Sequence, residues 1–194
     1  MARRRTAILI SGRGTNMAAL IEAARDPSYP AEIAVVISNI ASAKGLEIAE
    51  AAGIKTLAIS NKYYSTKTVF EEQILKALSE SRIELVCLAG FMRVLSASFI
   101  SHFEGRILNI HPSLLPAYRG LDTHKRALAD GVKDHGCTVH FVVPELDAGP
   151  VIAQAIVPVL DGDTEETLSA RVLIAENRLY PEALAKVAAS LAPL

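Results

Sequence analysis

Short apolar runs alternate with longer amphipathic segments along the first two thirds of the chain. The apolar runs are rich in β-branched residues and predict five strands, at 6–10, 33–37, 55–59, 84–89 and 106–110. The segments between them repeat apolar residues at helical spacing and predict helices over 15–24, 43–52, 66–79 and 96–103. Helices that join consecutive strands form right-handed crossovers, so we expect a doubly wound α/β fold with a mostly parallel sheet.

The pattern changes in the last third. A helix is predicted over 123–129, and the strands predicted over 137–143 and 151–158 are joined by a connection too short for a crossover helix. We therefore expect these strands to form an antiparallel pair. Asp163 and Glu166 have capping-box spacing and predict the start of a final helix, which we expect to kink at Pro181.

Composition indicates a globular chain of ordinary charge. No linker, repeat or low-complexity segment divides residues 1–194, of which 51% are hydrophobic, so we expect a single domain. Lys and Arg (20) nearly balance Asp and Glu (21), whereas nucleic-acid-binding proteins ordinarily carry a basic excess. The basic run at 3–5 is expected to be solvated charge before the first strand.

Two cysteines, Cys87 and Cys137, lie in or beside apolar segments and are expected to be buried free thiols. No uninterrupted apolar run reaches the roughly 18 residues that a membrane-spanning helix needs. We therefore expect a soluble cytoplasmic protein in a reducing compartment, with no membrane or nucleic-acid partner.

A glycine turn, Gly12-Arg-Gly14, follows the first strand in the place of a dinucleotide-binding motif. The third glycine of that motif would fall at Met17, and Ser38 and Asn39 stand where its acidic residue is expected. No Gly-Lys-Ser/Thr sequence follows, which excludes a P-loop. The sequence therefore argues against NAD.

The same turn suits a phosphate. Thr15 or Asn16 is expected to cap the next helix, whose free N–H groups and positive dipole end attract anions. A plain tight turn with a helix cap explains the residues equally well, so the turn alone leaves both interpretations open.

Polar residues collect at the end of the fifth strand. Asn109 and His111 are two apart, a spacing that places both side chains on one face of a strand, and Pro112 holds His111 extended. Asp147 lies in the connection between the last two strands. If that connection folds over the sheet end, the three groups suit attack of an external nucleophile on an activated carbonyl. Each residue also has an ordinary structural explanation, as a polar group bonded to nearby backbone.

The other histidines indicate no metal site. His102 is predicted at a helix end, His124 on a helix, His135 in a turn and His140 in a strand, as a core or supporting residue. No pair has the spacing typical of zinc ligands, so we expect no metal.

Four segments together resemble a known family. SGRGTN (11–16), LAGFMRVL (88–95), NIHPSLLP (109–116) and ELDAGP (145–150) are similar to the phosphoribosylglycinamide formyltransferases, and the resemblance extends from the first strand to about Pro181. It implies a Rossmann-like formyltransferase fold, 10-formyltetrahydrofolate as co-substrate and glycinamide ribonucleotide as acceptor, as in purine synthesis.

The resemblance also assigns roles to the polar trio. It implies that the acceptor amine attacks the formyl carbon directly, while Asn109 and protonated His111 stabilise the oxyanion and His111 donates a proton. Asp147 would favour the protonated imidazole and hold a water that relays the amine proton.

Binding residues follow from the same four segments and from two further stretches. The acceptor contacts implied are Gly14, Thr15, Asn16, Leu173, Ile174, Ala175 and Glu176. The folate contacts implied are Lys67, Met92, Arg93, Val94, Leu95, Asn109, Val143, Pro144, Glu145, Leu146 and Asp147.

The chain departs from the family pattern in a few places. Arg13 stands where Asn is common, Arg119 and Asp122 occupy variable positions, and apolar Leu173 offers only its backbone. The chain ends at Leu194, earlier than many relatives, so we expect a shortened C-terminus that lacks a final strand.

Three alternatives remain at this point. Formyltetrahydrofolate deformylase uses the same trio on water, but usually has an N-terminal regulatory domain. Methionyl-tRNA formyltransferase has a C-terminal tRNA-binding domain and a basic surface. A phosphate-binding module without catalysis would need no trio. The sequence is compatible with a monomer or a homodimer.

Overall fold

The computed structural model describes residues 3–192, which form one layered α/β arrangement. Its strands are β1 (Arg4–Ile10), β2 (Ala31–Ser38), β3 (Lys55–Ala58), β4 (Leu85–Leu88), β5 (Ile107–His111), β6 (Asp134–Phe141) and β7 (Val151–Pro158). They build a seven-stranded sheet in the order β3-β2-β1-β4-β5-β6-β7. The strands from β3 to β5 in that order are parallel, which confirms the predicted doubly wound sheet.

Helices cover both faces of this sheet. They are α1 (Thr15–Ala23), α2 (Lys44–Ala51), α3 (Lys67–Glu80), α4 (Ala97–His102), α5 (Thr123–Ala129) and α6 (Glu165–Ser190), with a 3-10 turn at Asn61–Tyr63. Alternate residues of β1 enter two separate cores, Ile8 and Ile10 on one face, Ala7 and Leu9 on the other. Helices α1, α2 and α6 cover the first face, while α3 and α4 cover the second. No helix in the described range is both long and apolar enough to cross a bilayer.

The antiparallel part of the sheet is larger than predicted. Strand β6 runs antiparallel to β5 as well as to β7, and it begins at Asp134 instead of residue 137. His135 is therefore a buried strand residue, and its prediction in a turn was wrong. The start of β6 carries Asp134 and Gly136, residue types that are depleted in strands, so its sequence does not predict the strand there. Cys87 and Cys137 are buried free thiols, as predicted.

The N-terminal arginines are not solvated charge, so that expectation was wrong. Arg4 and Arg5 lie in β1, where Arg4 Nη1 is 2.7 Å from Glu84 Oε1 with only 13% of its side chain exposed. Arg3 Nε donates to the Tyr29 carbonyl at 3.0 Å. Strand β1 thus begins at Arg4, before the predicted start at residue 6, in a segment whose guanidinium groups are hydrogen-bonded.

Two predicted helix starts are corrected by the structure. Gly14, in a left-handed conformation (φ 75°), is the N-cap of α1, and no side chain caps that helix. The capping box of α6 joins Thr164 and Thr167, whereas Asp163 accepts from Arg171 at 2.8 Å. Helix α6 continues through Pro181 to Ser190.

Candidate active site

A cavity of about 570 Å³ opens where β4 and β5 end. This is the edge at which parallel sheets bind ligands. Its walls come from the segment after β4, the end of β5, the 120–124 segment and the 142–147 connection. Most of the predicted folate contacts line it, namely Met92, Arg93, Val94, Leu95, Asn109, Val143, Pro144, Glu145, Leu146 and Asp147.

The polar trio meets in this cavity. Asn109, His111 and Asp147 all line it, as the strand spacing of the first two predicted. His111 Nδ1 lies 3.4 Å from Asp147 Oδ2, and each of the two side chains is only 7% exposed. Low exposure strengthens the attraction between an imidazolium and a carboxylate, because water screens the pair poorly.

The other nitrogen of His111 is already occupied. Nε2 lies 2.8 Å from the Tyr118 carbonyl oxygen, and since a carbonyl can only accept, Nε2 carries a proton. Nδ1 is therefore the nitrogen left to exchange a proton in the cavity, on the side where Asp147 lies.

Asp147 is placed by its loop and not by a strand. Its backbone is left-handed (φ 49°), an uncommon conformation for a residue with a side chain. The Gly120 N–H donates to Asp147 Oδ2 at 2.9 Å. At Gly149 a Cβ would lie 1.7 Å from the Phe141 carbonyl oxygen, so only glycine lets the connection pack this closely.

The ends of β4 and β5 are tied together beneath the cavity. The Tyr180 hydroxyl, fully buried on α6, lies 3.0 Å from the carbonyl oxygens of both Leu88 and Leu108. This contact holds the backbone immediately before Asn109 in place.

Several residues that line the cavity were not among the contacts expected from the sequence. Asp122, Thr123, His124, His140 and Glu165 also line the walls. His124 was assigned only to a helix, and Glu165 carried no motif, because their place at the cavity depends on how α5 and α6 pack. His140 faces Asn109 directly across the sheet, a placement that the predicted strand 137–143 was sufficient to indicate.

A histidine pair, half-buried at His124 and buried at His135, contributes to this wall. His124 Nδ1 lies 3.1 Å from His135 Nε2. Burial lowers the pKa of His124, and burial with neighbouring His124 lowers the pKa of His135 to about 4. The pair is therefore held neutral near pH 7.

The glycine turn lies next to the cavity but does not line it. Ser11, at its start, accepts from the Met92 N–H at 2.8 Å, which connects the turn to the cavity wall. Gly14 packs against α2, where an added Cβ would lie 2.9 Å from the Gly45 Cα. Gly14 thus has a packing role in addition to any contact with a ligand, whereas a Cβ at Gly12 would meet open space.

The two predicted acceptor segments meet each other. Asn16 Nδ2 donates to Glu176 Oε2 at 2.8 Å, which joins the start of α1 to α6. Burial raises the pKa of Glu176. Within the described residues, the buried Asn16 Oδ1 has no hydrogen-bond partner. Of the neighbouring positions, Leu173 and Ala175 are half-buried and Ile174 is exposed.

Lys67 is the predicted folate contact that does not line the cavity. It lies at the start of α3, with Nζ 3.8 Å from Glu71 Oε1. Glu71 in turn accepts from the Ser96 N–H at 2.9 Å, directly after the Leu95 wall. Lys67 is thus a neighbour of the cavity rim through these two residues.

The described residues contain no cluster of three or more His, Cys, Asp or Glu side chains arranged to hold a metal ion. The polar side chains that line the cavity include amide, imidazole and carboxylate groups.

Known proteins resemble this chain over most of its length. The chain is 46% identical to phosphoribosylglycinamide formyltransferase of Escherichia coli (strain K12), over 90% of this chain and 82% of that protein. A crystal structure of phosphoribosylglycinamide formyltransferase from Brucella melitensis superposes with a TM-score of 0.94 at 57% identity, covering 98% of both chains.

A further relative is the trifunctional purine biosynthetic protein adenosine-3 of Gallus gallus, 53% identical over 184 residues. The match covers 95% of this chain but only 18% of that larger protein. A family model described as "Formyl transferase" matches residues 4–184. The chain therefore belongs to the formyl transferase family.

Proposed function

We propose that this chain transfers the formyl group of 10-formyltetrahydrofolate to the amine of glycinamide ribonucleotide, a step of purine synthesis. The observation that carries the proposal is the meeting of Asn109, His111 and Asp147 in one deep cavity at the end of the sheet. Similarity to phosphoribosylglycinamide formyltransferases supports the choice of donor and acceptor.

In the proposed reaction the acceptor amine attacks the formyl carbon and forms a tetrahedral oxyanion. The Asn109 amide and the protonated His111 ring supply N–H donors to that oxygen, and fixed donors in a poorly solvated site stabilise such a charge strongly. When the bond from carbon to the folate nitrogen breaks, His111 gives its Nδ1 proton to that nitrogen. Nδ1 is the candidate because Nε2 is bonded to the Tyr118 carbonyl.

Asp147 has two roles in this proposal. Its carboxylate lies 3.4 Å from His111 Nδ1, where it orients the ring that donates the proton. It also accepts, through a water molecule, the proton that the attacking amine loses. The protons then balance, because the amine loses one proton to Asp147 and the departing folate nitrogen gains one from His111.

The acceptor is proposed to bind at the meeting point of α1 and α6. Its phosphate lies at Gly14, Thr15 and Asn16, where no side chain caps the helix and the N–H groups are available to an anion. Glu176, together with the backbone of Leu173, Ile174 and Ala175, contacts the rest of the molecule. The unpaired acceptor Asn16 Oδ1 fits a hydroxyl or amine donor of this ligand.

The folate is proposed to fill the cavity. Met92 and Val94 are 72% and 61% exposed, an apolar surface at the rim that a flat aromatic ring system covers well. Backbone groups of 92–95 and 143–147 bind the pterin edges, and Lys67 is placed near the acidic tail. We place the reaction in the cytoplasm, with these two small molecules as partners.

The test is an assay with 10-formyltetrahydrofolate in the presence and absence of glycinamide ribonucleotide. We expect tetrahydrofolate to appear only with the acceptor, together with one equivalent of formylated acceptor detected by mass spectrometry. Equal folate release without the acceptor would assign the chain as a deformylase. Absence of turnover in both mixtures, with folate or acceptor still bound, would leave a binding module.

A further inference from the structure

His140 and Asn109 form a directly opposed pair on neighbouring strands. They face each other across the antiparallel pairing of β5 and β6. The Asn109 Nδ2 and His140 Nε2 atoms are 3.2 Å apart, and His140 is only 2% exposed. The contact is therefore a part-buried hydrogen bond to a proposed catalytic group.

The direction of this hydrogen bond follows from the other side of the ring. His140 Nδ1 lies 2.9 Å from the Phe141 carbonyl oxygen, which can only accept, so Nδ1 carries the proton. In a neutral imidazole the second nitrogen is then an acceptor. Nε2 consequently accepts from the Asn109 amide, which requires the amide nitrogen, and not its oxygen, to lie on the His140 side.

The local environment favours the neutral ring. Burial lowers the pKa of His140, against the opposing effects of its bond to Phe141 and of the Asp147 carboxylate. Asp147 Oδ1 is 3.8 Å from Nε2, beyond hydrogen-bond distance. His111 also acts on His140 and disfavours a second positive charge beside it. Asp147 and His111 are the charged or titratable groups that act on this ring.

Strand β7 holds His140 from its other side. Val139 pairs with Ala153 and His140 with Val151, so Ile152 of β7 has no counterpart on β6. A bulge of this kind changes the local twist of the ladder and the direction of nearby side chains. The hydrogen bond to the Phe141 carbonyl orients the ring, and the bulge lies at the same position of the sheet.

We propose that His140 is a positioning residue, whose Nε2 accepts one Asn109 N–H and keeps the second N–H of that amide directed at the oxygen of the transferred formyl group. The inference rests on the proposed role of Asn109 in formyl transfer. Without Nε2 of His140 as hydrogen-bond acceptor, the Asn109 amide is free to rotate. Its oxygen would then face the developing oxyanion, and the two negative oxygens would repel each other.

The test is a set of four variants, His140→Leu, His140→Gln, Asn109→Ala and the Asn109→Ala/His140→Leu double variant. We expect His140→Leu to lower kcat by about tenfold with KM for both substrates within about twofold, because orientation is lost and not binding. His140→Gln restores most of kcat, since its side-chain oxygen reaches the position of Nε2. In the Asn109→Ala background, His140→Leu changes kcat by less than about twofold.

Two further measurements separate a positioning role from a structural one. Thermal unfolding of each variant measures any loss of stability, and the dependence of kcat on pH reports the protonation of the His140 ring. Wild type should lose kcat in acid below the ordinary histidine pKa of about 6.5, where Nε2 gains a proton and ceases to accept, and His140→Gln should lack that added loss.

Two results would overturn the role of His140. In the first, the losses of kcat in the two single variants multiply in the double variant. In the second, His140→Gln fails to restore kcat although its Tm is unchanged. A fully active Asn109→Ala enzyme would instead refute the catalytic role of Asn109 on which the inference rests.

Discussion

The site combines two regions that are positioned in different ways. Asn109 and His111 lie on β5, where the strand pairs with β4 and β6 and its pleat sets the spacing of the side chains. Asp147 lies on a connection and is held by left-handed backbone, one N–H donor and a close glycine contact. The sheet therefore holds the Asn109 and His111 side chains rigidly. The loop places the Asp147 carboxylate beside them through a few contacts, each of which a single substitution can remove.

The largest expected effect comes from the strand region. We expect His111→Ala to lower kcat by about 1,000-fold, because it removes both an oxyanion donor and the proposed proton donor. Tetrahydrofolate binding, measured by titration calorimetry, should stay within about threefold, since the cavity walls remain.

His102→Ala is the matched control for this change, because His102 is an exposed histidine on α4 whose ring Nδ1 lies 2.8 Å from the Ser98 carbonyl oxygen of its own helix. If His111→Ala has the kinetics of wild type, His111 has no catalytic role.

The next effect tests how the loop region is held. A Gly149→Ala side chain would meet the Phe141 carbonyl, so the 143–147 connection must shift and carry Asp147 away from His111. We expect kcat to fall by about 100-fold, as for a misplacement near 1 Å. Steady-state kinetics of the variant measure the loss of kcat, and its crystal structure shows the displacement of Asp147.

Gly53→Ala separates this displacement from lost stability. Gly53 has a positive φ of 75° but open space around it, far from the cavity in the turn after α2. Its replacement should lower Tm while leaving kcat unchanged. Equal kcat in Gly149→Ala and Gly53→Ala would show that the close contact does not position Asp147.

The same contrast explains how much of the molecule was predictable. The alternation of apolar runs and helices predicted the parallel sheet, and the strand-end spacing of Asn109 and His111 placed both in one crevice. The position of Asp147 depended on how its connection folds. The Gly120 N–H that holds its carboxylate is 27 residues away in sequence, and the contact of Gly149 with Phe141 forms only when the connection folds back on β6. The Gly14 cap was missed for a related reason, because a side-chain cap and a left-handed glycine are both compatible with the same turn sequence.

Acid stability probes the support behind the strand region. Burial and His124 lower the pKa of His135 to about 4, whereas an unfolded chain takes up the proton near pH 6.5. Between these values the unfolded state binds more protons, so this contribution to stability is present above pH 6.5 and is lost as the pH falls to 4.

His135→Gln lacks this titration. We expect the unfolding equilibrium of wild type, measured with urea, to shift toward the unfolded state by up to about 80-fold more than that of the variant between pH 6.5 and 4. Parallel pH dependence of the two proteins would mean that the His124–His135 pair is solvated and does not support the Pro112 backbone to which His135 is bonded.

The smallest effect is expected at the rim of the loop region. Arg119 Nη1 lies 3.2 Å from Glu145 Oε1 and joins the two loops that meet at Asp147, but the side chains are 42% and 73% exposed. Exposed ion pairs contribute little, so Arg119→Ala should change kcat/KM by at most about threefold, and added salt should reduce that difference further. Lys125→Ala, which removes an exposed cation from the neighbouring helix, controls for net charge. A loss above tenfold that persists in 0.5 M salt, roughly the range where surface pairs are screened, would show that the ion pair, and not the Gly120 N–H, holds Asp147 over the sheet.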